Sequence, residues 1–306
     1  MHWSKALTIF VVFGVMWGCG GGGTHSSAVD TRKIYIADGH RLVRIDNMSG
    51  AGWVSYGSAG SGVGQFDFPE GMAFDSQNRI YVTDWSNDRI IRVDDMTGAG
   101  WTTFGTGGSG VNQFGGPNRI AIDAQDRIYI TDGDNNRVVR IDDMTGAGWT
   151  TFGTNGSGVN QFDSPVGIAV AANGQIYIGD WLNERVVRVN DMTGTGWTTL
   201  SAGSGAGHFS DPVEIKLDDS NHMYVVDYGA DKVIRTGLMS TSGWTELPVG
   251  SCESIAIDNS NRIYVTSQDS ESVIRYDSIA GDGATSFGSN GTGVGQFHAP
   301  TAIFLR

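Results

Sequence analysis

Cysteine is nearly missing from this chain. Of 306 residues two are cysteine, Cys19 and Cys252, too few for a disulfide framework. Cys252 has no histidine beside it in sequence, so it reads as a packed thiol rather than a nucleophile. Histidine itself is scarce. Beyond residue 31 only His40, His208, His222 and His298 occur, without paired spacing, and a zinc triad is not expected. Positive charge falls short: 20 Lys and Arg stand against 33 Asp and Glu, a formal charge of −13. Such a surface repels phosphate backbones and excludes nucleic acid as a partner. After residue 30 no segment has the apolar period of a helix. That removes the phosphate loop that leads into a helix, and no nucleophile elbow occurs either.

What the chain has in excess is glycine, 46 residues without a Gly-X-Y period. This predicts many tight turns and excludes collagen. Aromatic and β-branched residues are plentiful, so a core can be buried.

One apolar run stands out, Ala6 to Gly18, thirteen residues behind Lys5. As a helix it would rise ~20 Å, short of a ~30 Å hydrocarbon core, so it reads as a secretory leader and not a membrane span. The sequence at its end, Gly18-Cys19 followed by Gly20 to Gly23, resembles the lipobox and tether of bacterial lipoproteins. The resemblance implies that residues 1–18 are a signal peptide, that Cys19 is lipidated, and that residues 19–31 form a flexible tether. Gly20 after the cysteine implies an outer-membrane destination in the bacterial cell envelope. A plain secretory signal with an incidental cysteine is the alternative. Under the lipoprotein reading the N-terminal lipid is the only contact expected with a membrane.

The rest of the chain repeats itself. DDMTGAGWTTFGT is spelled at 94–106 and again at 142–154, 48 residues later. Aligned on the tyrosine of each Ile/Met-Tyr-Val/Ile, the copies fall at Tyr35, Tyr81, Tyr129, Tyr177, Tyr224 and Tyr264, spaced 46, 48, 48, 47 and 40. Periods of this size mark a solenoid or a propeller. Within one copy, RIAID, RIYITD, RVVRID and WTTFG are short, β-branched segments bounded by turn residues. Four antiparallel strands per repeat make a propeller blade. The Met and Trp that recur around each MTGAGW turn are expected to pack blade against blade.

The first copy begins, at residue 32, with its second strand. The segment PTAIFLR at 300–306 has the first-strand pattern. The expectation is therefore an all-β fold: a six-bladed propeller of four-stranded blades over 32–306, one domain and a monomer, with blade one closed by the C-terminal strand. PVGIAVAANGQIYIGDWLNERVVRV at 165–189 and PEGMAFDSQNRIYVTDWSNDRIIRV at 69–93 carry the motif Pro-x-Gly-Ile-Ala…Ile-Tyr-Val-x-Asp…Asn-x-Arg-Val. This resembles the NHL repeat. The resemblance implies the same propeller. Its relatives include extracytoplasmic sensors, protein or RNA binders, lyases and lactonase-type hydrolases, so it implies no single function.

Candidate site residues follow from where the blades differ. The loops joining blades are long, whereas the turns at the opposite end, such as SQN and AQD, are short. The long-loop face is thus the expected working face. Trp85, Trp181 and Tyr228 follow the Asp that ends the second strand, where other blades have Gly39, Gly133 or Gln268. They could stack on a sugar or anchor a protein, or simply cover neighbouring loops. At the first-strand starts Arg119 and Glu214 replace the usual glycine, and Glu70, Asn118 and Glu253 vary beside them. Arg119, Glu214 and Glu253 are candidate ligand contacts. Glu70, Asn118, Glu214 and Glu253 are hard oxygen donors, and lactonase-type propellers hold calcium with such residues, so Ca2+ is a candidate cofactor. Pairing of the carboxylates with Arg119 is the alternative. The pairs Asp84/Arg89, Asp132/Arg137, Asp180/Arg185 and Asp227/Lys232 flank four-residue turns and read as turn-closing ion pairs, worth under ~1 kcal/mol each if exposed. The shortened loop before Cys252 predicts a notch in the rim between blades five and six, beside Cys252, Glu214 and Tyr228, as a side entrance for a ligand or peptide.

The leading functional expectation is a non-enzymatic scaffold that binds a protein, small ligand or glycan at the channel mouth. The competing one is a calcium-dependent lactonase or esterase-like hydrolase.

Overall fold

A computed structural model describes residues 32–201 and 208–306. The leader, Cys19 and the tether to residue 31 lie outside the described residues. Among the described residues no helix is long and apolar enough to cross a membrane.

The strands form six four-stranded antiparallel sheets. Blade two runs from the innermost strand outward as Pro69–Phe74, Ile80–Asp84, Arg89–Val93 and Thr102–Phe104. The others repeat this order. Each innermost strand contacts those of both neighbouring blades, around a closed cycle. Blade one is completed by Pro300–Leu305, which pairs antiparallel with Ile34–Asp38 and sets Tyr35 opposite Phe304. The expected closure is what the structure has. Each of the six sheets thus has its axial strand, and Ile34–Asp38 is not left with a bare edge, the geometry that would otherwise invite association.

Burial on both faces of the second strands explains the core. In Ile80–Asp84 every residue is buried, as expected of a strand covered on both faces. Ala37, Leu42 and Tyr56 of blade one pack with Met72, Val82, Ile91 and Met96 of blade two. The recurring methionines are therefore inter-blade packing: Met96, Met144 and Met192 are all buried. Trp101 joins them through Phe66, with ring centroids 5.4 Å apart.

The inter-blade loops are more ordered than the sequence suggests. Three of them fold into short parallel ribbons, such as Thr106–Gly107 against Gln113–Phe114. Five of the inter-blade loops drive one Phe into the core: Phe66, Phe114, Phe162, Phe209 and Phe297 are fully buried. Gln113 Oε1 caps the Gly110 amide from within the ribbon (2.9 Å).

The ion pairs beside the turns are not surface features. Asp132 is fully buried. It accepts from the Gly115 amide (2.7 Å), from Asn135 Nδ2 and from Arg137 Nε (2.7 Å). Arg137 in turn donates to the carbonyls of Ser109 and Gln113. The pair is a clamp that ties the preceding insert onto its blade, and it recurs at Asp84/Arg89 and Asp180/Arg185. Blade five breaks it. Lys232 Nζ turns away to Glu246 (2.8 Å), and Asp227 Oδ2 is buried with no partner. A lysine offers one point charge and cannot reproduce the arginine fork. Blade six replaces the clamp with hydroxyls, Ser270 Oγ bridging Ser267 (2.9 Å) and Ser272 (2.6 Å). Asp132→Ala should therefore cost about 3 kcal/mol, because it takes the buried acceptor away from the part-buried Arg137 guanidinium and from the Gly115 amide. Asp227→Asn should cost under about 1 kcal/mol. Urea denaturation of both variants checks the contrast.

Candidate functional site

Every innermost strand carries a β-bulge just inside its first residue, for example between Pro117 and Ile120. A bulge re-aims side chains, and here it turns the variable residues toward the axis. The bulged amides are satisfied by threonines that sequence reasoning missed. Thr83 Oγ1 accepts from the Gly71 amide (2.7 Å), and Thr131 Oγ1 accepts from the Arg119 amide (3.0 Å). Thr131 also donates to the Val166 carbonyl of the next blade (2.6 Å). The signal was available in the recurring Tyr-Val/Ile-Thr-Asp/Ser of blades two, three and six.

On the long-loop face these strands surround a cavity of about 340 Å³. Of the predicted contacts, Trp85, Arg119, Trp181, Tyr228 and Glu253 line it, as do Glu70 and Asn118. Phe68, Asp134, Val166 and Val213 also line it and were not foreseen. Glu214 was expected at the mouth but is 2 % exposed. It lies beneath the cavity as part of its floor.

The aromatics open short turns whose backbone recurs in blades three and six, where Gly133 and Gln268 stand in their place and Asn136 and Glu271 close the turn. Trp85–Asn87, Trp181–Asn183 and Tyr228–Ala230 are single 3-10 turns, each closed by a left-handed residue, Asp88, Glu184 or Asp231. The Trp85 amide donates to the Phe68 carbonyl (3.1 Å) and the Tyr228 amide to Asp211 (2.9 Å). Trp85 leans over the next blade, so close to Gly116 that a Cβ there would sit 2.7 Å from Trp85 Nε1. Trp85 remains 40 % exposed, whereas Trp181 and Tyr228 are half-buried against Val166 and Val213.

The floor is one cation among three carboxylates. Arg119 Nη1 lies 3.1 Å from Glu70 Oε2, Nε 3.2 Å from Glu214 Oε2, and Nη2 3.6 Å from Glu253 Oε2. The Nε–Glu214 contact is an ion pair without hydrogen-bond alignment. Nη2 donates to the Glu253 carbonyl (2.8 Å), and Nη1 to that of Glu70. Glu214 also binds Lys216 Nζ (3.0 Å) and accepts from Ser254 Oγ (3.0 Å). Ser254 Oγ accepts in turn from the Ile303 amide of the closing strand (3.2 Å). One guanidinium from blade three thus links blades two, five and six across the axis, and through Ser254 it reaches blade one.

This arrangement bears on the calcium set. Glu70, Glu214 and Glu253 do converge, but the guanidinium of Arg119 holds the centre. Among the described residues no group of three His, Cys, Asp or Glu is placed to hold a metal ion. Among the described residues no histidine lines the cavity either. His40 and His298 border a separate cavity beside the blade-one insert, and His222 pairs with Asp218 at the opposite end. The predicted notch is not bounded as expected: Cys252 and Glu214 are both buried, and Tyr228 faces the axial cavity. Burial pushes the Cys252 thiol far up, as befits a packed side chain.

The cluster is short of positive charge. Burial pushes Glu253 up to about 7; Arg119 opposes this, and Glu70 and Glu214 reinforce it. Burial raises Glu70 as well. At Arg119 burial disfavours the charge, but Glu214, Glu70 and Glu253 outweigh it and raise the pKa. A carboxyl whose folded pKa exceeds its unfolded one binds its proton more tightly in the native state. The stability this gives is present below the unfolded value near 4.5 and is lost as pH rises toward about 7. Glu253→Gln keeps the neutral form at every pH. It should be about 2 kcal/mol more stable than the wild type at pH 8. At pH 4.5 the difference should vanish, as denaturation at the two pH values will test.

Comparison with known proteins agrees with the geometry. Residues 66–92 and 114–141 match the model of the NHL repeat. Residues 160–287 match a family model described as a 6-bladed beta-propeller. The chain is thus a six-bladed β-propeller that carries NHL repeats. No curated protein matches its sequence significantly. Among solved structures it is similar to one of a nidogen/laminin complex, at 19% identity and TM-score 0.69, over 90% of this chain and 98% of that one. It is also similar to a catalytically inactive virginiamycin B lyase from Staphylococcus aureus with quinupristin: 17% identity, TM-score 0.54, 76% and 73% coverage. A streptogramin B lyase aligns at 16% identity and TM-score 0.54, over 71% and 67%. At these identities the likeness is one of fold.

Proposed function

We propose that this propeller is a binding scaffold that takes a protein or small ligand at the long-loop mouth of its channel. One observation carries the reading: Trp85, Trp181 and Tyr228, from three blades, converge on one cavity with the Arg119 cluster as its floor. Aromatic anchors around a preformed pocket are what binding sites are made of. The floor is cross-braced, so the site is held ready before a partner arrives. That a propeller of this shape occurs in a nidogen/laminin complex supports protein recognition as a use of the fold.

The leader and Gly18-Cys19 support attachment to the bacterial cell envelope through a lipid on Cys19, with the propeller a monomer outside the cytoplasmic membrane. Cys19→Ser should move the protein from the membrane fraction to the soluble one. For the binding reading, Trp181→Ala combined with Tyr228→Ala should abolish retention of whatever the wild type captures from an envelope extract. Ser220→Ala, at the opposite end, should not. Equal retention by all three proteins would defeat the assignment of the face.

A further inference from the structure

The charge and the walls of the axial cavity say what kind of group it takes. Three lining residues are carboxylates, Glu70, Asp134 and Glu253, and one is a cation, Arg119. Three negative against one positive leaves the lining at −2 when all are ionised. Beneath it Glu214 and Lys216 form a pair at 3.0 Å and cancel.

An anion would have to win Arg119. The Arg119 side chain is 3 % exposed, and its nitrogens already face three carboxylates and two carbonyls. Freeing it would leave buried carboxylates without a counter-charge, a cost an incoming anion cannot offset. A neutral sugar would find stacking surfaces but would leave the charge imbalance as it is. A cation is favoured by both. The faces of Trp85, Trp181 and Tyr228 attract positive charge through their quadrupoles, and the carboxylates below supply the opposite sign. Phe68 adds a fourth ring at the mouth. It is 43 % exposed with φ +55, a left-handed backbone that a bulky residue seldom adopts. The chain as a whole carries −13, which would steer a cation toward it.

Resting on the binding role above, we infer that the aromatic-rimmed axial cavity binds an organic ammonium group, set between Trp85, Trp181 and Tyr228 and facing Glu70 and Glu253. The ammonium can belong to a free small molecule or to a lysine side chain. The chemistry is shared and the test separates the two.

Choline, its uncharged carbon analogue 3,3-dimethyl-1-butanol, and Nα-acetyl-lysine amide are titrated into the full chain at constant ionic strength. Saturation transfer to the ligand protons gives the dissociation constants. Choline or the lysine amide should bind at least tenfold more tightly than the uncharged analogue, and whichever of the two is tighter identifies the source. Glu70→Gln with Glu253→Gln should remove that preference and leave the uncharged analogue unaffected. If the double variant does not fold, Trp85→Leu, at an exposed position, should weaken the cation about tenfold. Binding of the carbon analogue as tight as that of both choline and the lysine amide, tighter binding of acetate, or no saturable cation binding would each overturn the inference. Should the wild type retain a partner through Trp181 and Tyr228 while neither choline nor the lysine amide competes, the cation assignment falls and the binding face stands.

Discussion

Arg119→Met should destabilise the protein by about 4 kcal/mol at pH 8. The reason is the three carboxylates it leaves behind. Glu214 is almost wholly buried and Glu70 and Glu253 are largely so, and removing one member of a buried ion cluster costs ~3–5 kcal/mol through the charge left unpaired. The loss should shrink as pH falls from 8 to 5. Glu70 and Glu253 already bind protons more readily than ordinary glutamates, and without Arg119 they would do so more readily still. Acidification then neutralises them in the variant's native state. Adding Glu214→Gln to Arg119→Met should restore part of the loss, since the two side chains touch and their effects are not additive. An Arg119→Met protein as stable as the wild type at pH 8 would mean that the cluster does not brace the channel.

Removing Pro300–Arg306 should cost more still. Thr301, Ala302, Ile303 and Leu305 are all buried in the closing strand. Ile303 alone would cost ~2–4 kcal/mol if cut to alanine. The strand also pairs with Ile34–Asp38 along its length and ends on the reciprocal Lys33–Arg306 hydrogen bonds (2.6 and 2.9 Å). Its contribution is comparable to the whole ~5–15 kcal/mol by which a domain is stable. The shortened chain should fail to unfold cooperatively and should bind a hydrophobic dye. Adding the peptide Pro300–Arg306 in excess should restore part of the native signal. A sharp, wild-type-like melting transition without the strand would show that the ring does not depend on its closure.

The fold was legible because each copy of the repeat states its own strands and turns, and because residues 300–306 spell a strand that blade one lacks. The side chains around the axis were half legible. Trp85, Trp181 and Tyr228 could be picked out as departures from the repeat, and so could Arg119. What these residues do to one another could not be read. Whether Glu70, Glu214 and Glu253 hold calcium or a guanidinium depends on the reach of Arg119 across the channel, which no local pattern encodes. Glu214 reads as a rim residue, yet the bulge in its strand sends it inward, where it is 2 % exposed. The Asp/Arg pairs look like surface chemistry because sequence shows their turn and not the insert folded over it. Asp227/Lys232 fits that pattern by eye and breaks it in space, since Lys232 reaches Glu246 at 2.8 Å instead.

The claim that binding occurs at the long-loop mouth is tested most directly by site-specific photocrosslinking in intact cells. A benzophenone amino acid would be placed at position 85 or at the exposed Leu182, and, for the opposite end, at the exposed Gln77 or Ser220. The account predicts adducts from 85 and 182 and none from 77 and 220. Adducts from 77 or 220, with none from the mouth, would contradict it.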